Sequence, residues 1–209
     1  MAMPEPFIQI TLAEYLDQED QASVRHEYVD GIVFAMVVAK RRHNLVVGNV
    51  FHRARIAARS SPHCQVFSSD MKLYVQSRNS IYYPDVMATC DPDDRDERYV
   101  TRPCFIVEVL SPSTSGIDRR EKRLSYEALT SLREYLVVDQ DRMRVELHRK
   151  EQDQWQGLLL RQPNDVVRSS CLGLQLTLAD LYEGIELPPP GVTEDDAADY
   201  PFIEWLRAG

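Results

Sequence analysis

CFIVEVLSPST, residues 104–114, is the stretch on which the fold turns. Phe105, Ile106, Val107, Val109 and Leu110 make it the most apolar of the chain's strand-like runs. A run this short and rich in β-branched residues reads as a central strand with both faces covered. Glu108 interrupts it. Taking a lone carboxylate out of water costs roughly several kcal/mol unless it is paired, protonated or bound to a metal. The residues that follow, SPSTSG, are turn-forming. Ser111 and Thr114 satisfy that turn rather than act as nucleophiles, since no GxSxG elbow is present.

Upstream, YYPDVMATC at 82–90 repeats the exception: Pro84 and Asp85 stand inside an otherwise apolar strand. Proline cannot donate to a sheet ladder, so Pro84 ends or bends the strand at its edge, and Asp85 needs a partner. A strand edge entering a turn accounts for the dipeptide equally simply. If the two strands are neighbours, Asp85 and Glu108 converge. Two carboxylates are what Mg2+ or Mn2+ takes, together with water and phosphate oxygens. Downstream, a helix from about 118 to 132 sets Asp118, Lys122 and Tyr126 four residues apart on one face. Lys122 can then reach back toward the carboxylates; an ordinary surface Asp–Lys pair is the alternative.

Further out, helices and strands alternate. Thr11 and Glu14 have capping-box spacing, so TLAEYLDQE opens a short helix. HEYVDGIVFAM at 26–36 is a hairpin turning on Asp30-Gly31. Residues 42–60 form a helix that ends before Ser61-Pro62. CQVFSS, MKLYVQ, EYLVVD, MRVELHR and QWQGLLLR read as further strands and LTLADLY as a short helix, with one domain over 1–187. Residues 188–209 form a proline-rich, acidic tail.

The net charge of −9 argues against nucleic acid only until it is mapped. Residues 180–209 carry −7 of it, leaving −2 for the rest. Lys40 to Arg59 holds six bases and no acid. Arg41, Arg42, Arg53 and Arg59 are the candidate phosphate contacts there, a solvated helix face being the other reading. The longest apolar run, eight residues from Ile32 to Ala39, is far short of the roughly 20 that cross a bilayer, and MAMPEPFIQI lacks a signal core. We therefore expect a cytoplasmic protein without membrane contact. Cys64, Cys90, Cys104 and Cys171 form no CxxC pair, which predicts reduced, packed thiols rather than disulfides or zinc.

Pro84-Asp85, Glu108 in IVEVLSPST, Asp118-x3-Lys122-x3-Tyr126 and EYLVVD together resemble the Uma-two family of endonucleases, within the PD-(D/E)xK superfamily. HEYVDG and His43 are similar to that family's N-terminal motif and helix-start histidine, so the resemblance covers roughly residues 8–150. It implies a mixed α/β, restriction-endonuclease-like core: a central mixed sheet with an N-terminal hairpin, flanked by helices. It also implies Mg2+-dependent (or Mn2+-dependent) hydrolysis of DNA by a metal-activated water, often in homodimers. Asp85 and Glu108 would be the metal ligands, Glu27 a further acid, and Lys122 the catalytic lysine. His43, Asp118 and Tyr126 would be supporting residues. Leu110 stands where the superfamily motif has its lysine, a departure that places the lysine on the following helix. Two other readings stay open: a catalytically idle nuclease fold acting as a nucleic-acid- or protein-binding module, and an interaction protein working through its acidic tail.

Overall fold

The structure is a computed structural model. It describes residues 9–36, 39–110 and 116–187, with side chains omitted over 116–119. The tail over 188–209, Ser111, Thr114 and the side chain of Asp118 therefore lie outside the described residues.

In chain order the elements are α1 (Leu12–Glu19), β1 (His26–Val29), β2 (Ile32–Ala35), α2 (Arg41–Ala58), β3 (Gln65–Ser68), β4 (Lys72–Val75), β5 (Ser80–Tyr82), β6 (Val86–Thr89), β7 (Tyr99–Val100), β8 (Phe105–Leu110) and α3 (Gly116–Glu127). There follow β9 (Glu134–Asp139), β10 (Val145–Glu151), β11 (Gln154–Leu160), β12 (Val166–Ser169), β13 (Leu174–Thr177) and α4 (Leu178–Leu181).

Two larger sheets divide the strands, with order β2-β1-β5-β4-β7 in one and β11-β10-β9-β8-β6-β3 in the other; β12 and β13 pair separately. The six-stranded sheet is mixed, since β8 and β9 run parallel while its other pairings are antiparallel. Near its middle lies β8, as its apolar sequence predicts. Alternate β8 side chains supply two cores. Phe105, Val107 and Val109 pack with Val46, Val50 and Ala54 of α2 and with the C-terminal hairpin. Ile106 packs with Tyr126, Leu129 and Leu132 behind α3. The strand period of two thus places Glu108 on the α3 side.

Local chemistry explains the termini. Thr11 Oγ1 accepts from the amide of Glu14, whose carboxylate accepts from the amide of Thr11 at 2.8 Å. Asp30 and Gly31 carry φ of 44° and 96°, the left-handed pair that a two-residue hairpin needs. Pro84 is buried between strands rather than on an edge. The stretch read as one strand is two, β5 in one sheet and β6 in the other, and the proline marks where the chain crosses. The helix expected to reach Leu132 stops at Glu127, because Leu129 and Leu132 are drawn into the core.

The cysteine expectation is overturned. Cys64 is joined to Cys90, and Cys104 to Cys171. The β3–β6 register pairs Gln65 with Thr89, so its next step sets Cys64 opposite Cys90, a proximity that long sequence spacing conceals. Among the described residues no helix is long and apolar enough to cross a membrane.

Candidate active site

The β6–β8 ladder pairs Val86 with Val107 and Met87 with Ile106 in antiparallel register. Continued by one residue, it sets Asp85 opposite Glu108. Cross-strand partners share a face, with Cβ atoms about 5 Å apart. The main-chain amide of Val109 donates to Asp85 Oδ2 at 2.7 Å, and His43 Nε2, from the first turn of α2, lies 3.2 Å from the same oxygen. Among the described residues Oδ1 of Asp85 carries no hydrogen bond.

Glu108 is held from the other side. The hydroxyl of Tyr126 donates to Oε1 at 2.6 Å, and Lys122 Nζ lies 3.8 Å from Oε2. Tyr126 is fully buried, its ring edge-on to Tyr82 and Tyr135. Lys122 also lies 2.7 Å from Glu27 Oε1, an electrostatic contact without hydrogen-bond alignment. Glu27 belongs to β1, so the ammonium group spans the two sheets. The side chains of Glu27, Asp85, Glu108, Lys122 and His43 are all 11–15% exposed: they line one shared recess that solvent still reaches.

Burial pushes the Glu108 carboxyl up to about 8 against the pull of Lys122, with Asp85 and Glu27 adding to the rise. Burial and Glu108 also hold the Tyr126 hydroxyl well above its ordinary range, so it remains a donor. Among the described residues Lys122 lies against Glu27 and Glu108 while Asp85 meets His43, an acid-rich set that would suit a divalent cation. The available oxygen of Asp85 and the partly exposed Glu108 carboxylate fit a hard cation that completes its shell with water. Among the described residues these acids make no cluster of three with mutual distances under 4.8 Å, so two of them would serve as ligands.

The structure therefore brings together Glu27, His43, Asp85, Glu108, Lys122 and Tyr126. The backbone of Asp118 lies one turn before Lys122 on α3. Two groups absent from the sequence-derived set adjoin the recess. Tyr82 donates to Glu121 at 2.6 Å, and Lys122 sits 6.0 Å above the Tyr82 ring. The only signal for Tyr82 was its place two residues before Pro84. The four arginines are not equivalent. Arg42 pairs with Asp141 and Arg53 with Asp180, each at 2.8 Å, so the run that lacks acids in sequence meets them in space. Arg41 and Arg59, at opposite ends of α2, are exposed.

Comparison with known proteins bears on the fold and the family of the chain. A crystal structure of "a putative nuclease belonging to DUF820" from Anabaena variabilis superposes with a TM-score of 0.67 over 83% of this chain and 97% of that one, at 18% identity. That likeness shows the restriction-endonuclease-like fold. Two uncharacterized proteins of Synechocystis sp. are similar in sequence. Slr1290 is 31% identical over 186 residues, 86% of this chain and 95% of its own length. Sll1609 is 35% identical over 150 residues, 70% and 84% respectively. The Uma2 profile, described as "Putative restriction endonuclease", matches residues 12–179, and the chain belongs to that family.

Proposed function

We propose that the chain is a metal-dependent endonuclease that hydrolyses DNA phosphodiester bonds. The observation that carries this is the meeting of Asp85 and Glu108 on adjacent strands with Lys122 on the next helix. Asp85 and Glu108 would hold a divalent cation, which would supply Lewis-acid polarisation of the phosphate and a lowered pKa for the attacking water. The chain's own groups do the rest. The Val109 amide and His43 fix the Asp85 carboxylate, while Tyr126 fixes that of Glu108. Lys122, steadied by Glu27, presents a fixed positive charge where negative charge grows on the phosphoryl oxygens. Arg41 and Arg59 could track the phosphate backbone on either side, and a homodimer would provide one site per strand.

The test is cleavage of supercoiled plasmid in Mg2+ or Mn2+. Asp85→Asn, Glu108→Gln and Lys122→Met should each lose about 100-fold or more of the rate, the scale on which electrostatic groups act. Undiminished cleavage by variants purified identically would place the chemistry elsewhere.

A further inference from the structure

All four cysteines of the chain meet at one place, although 107 residues separate the first from the last. They arrive on four segments: Cys64 before β3, Cys90 after β6, Cys104 before β8, and Cys171 in the turn between β12 and β13. The two bonded pairs abut. Cys90 Sγ lies 3.8 Å from Cys104 Sγ, and the sulfurs of Cys90, Cys104 and Cys171 all lie within 4.8 Å of one another. Cys64 stands outside that mutual set and adjoins it through its bond to Cys90.

We propose that, when reduced, Cys64, Cys90, Cys104 and Cys171 form a four-thiolate site for a divalent cation of the zinc class. Tetrahedral Zn2+ with bonds of about 2.3 Å sets its sulfurs about 3.8 Å apart, the spacing already present between Cys90 and Cys104. The donor set is sulfur alone, which selects a soft cation over the hard one suited to Asp85 and Glu108. A thiol-class reductant delivers two electrons and two protons to each disulfide, and the four resulting thiols release four protons as one cation binds. Oxidation of the thiolates by a disulfide-class oxidant restores the two bonds and frees the cation.

The site is distinct from the carboxylate recess. Asp85 and Cys90 flank opposite ends of β6, about 17 Å apart at 3.3 Å per residue. Its cation would fasten β3, β6 and β8 to the C-terminal hairpin, and it does not depend on the nuclease reading.

Native mass spectrometry of the full-length chain, purified with a phosphine reductant and supplied with Zn2+, tests this. One Zn2+ per chain is expected, read at a given charge state as one Zn2+ in place of two protons. The Cys90→Ser/Cys171→Ser double variant should carry none, and Asp85→Asn/Glu108→Gln should keep it, which separates this site from any failure of the nuclease proposal. A metal-free chain, whether with four thiols or four hydrogens short as two disulfides, would overturn the proposal. Should the serine variants misfold, the reduced wild type with Co2+ decides. Thiolate-to-cobalt charge-transfer absorption is expected, and its absence overturns the site.

Discussion

Glu108 concentrates the electrostatics of the recess. Its carboxyl is raised to about 8 from an ordinary 4.5, chiefly by burial, so the folded chain binds its proton more tightly than the unfolded chain does. For a group raised in the folded state the sign is fixed: stability is flat below about pH 4.5 and falls as pH climbs toward about 8, because deprotonation favours the unfolded chain. Glu108→Gln, which keeps the shape without the charge, should remove that slope. Melting curves in metal-free buffer between about pH 5 and about pH 8 should therefore show the wild type losing stability relative to the variant, whereas parallel profiles would mean that Glu108 is not held in this way. The unusual character of Glu108 was legible from its apolar neighbours. Its partners were legible only in part. Spacing on one helix face put Lys122 and Tyr126 together, but the Val109 amide on Asp85 arises from main-chain register, which no side-chain pattern announces.

At the scale of elements, the sequence was clearest where backbone chemistry is local. The capping box and the Asp30-Gly31 turn were read correctly because each depends on two neighbouring residues. The split of one apolar run into β5 and β6 was missed because both halves carry strand periodicity, and only the sheet assignment separates them. The β12–β13 hairpin was missed likewise: its strands are four residues each, too short to stand out from flanking turns. Two glycines give opposite predictions. Gly31 has φ +96°, and an added Cβ would lie 3.1 Å from Gln9 Cβ, so Gly31→Ala should destabilise by about 1–3 kcal/mol. Gly48 lies inside α2, where an added methyl would meet nothing within 4 Å, so it should gain about 0.5–1 kcal/mol as alanine. Urea unfolding of the two variants checks both signs, and a stabilising Gly31→Ala would refute the hairpin geometry.

Across the whole molecule, the chain passes between the two large sheets five times, and the recess forms at the passage from β5 to β6. The chain leaves the five-stranded sheet at Tyr82, turns through Pro84 and enters the six-stranded sheet at Val86, with Asp85 at the seam. Glu27 comes from one sheet and Glu108 from the other, and Lys122 stands between them. This contact spans 95 residues of sequence, and only family resemblance placed Glu27 near the site. Partly buried charges cost desolvation that their partners must offset, so removing one partner exposes the other. Lys122→Met should destabilise strongly, taking from the Glu27 carboxylate the ammonium beside it, and Glu27→Gln should do so less. In the double variant much of the loss should be recovered, giving a coupling of about 1–3 kcal/mol in a denaturation cycle at neutral pH. Additive single effects, within about 0.3–0.5 kcal/mol, would show that the ammonium contributes nothing to holding the two sheets together.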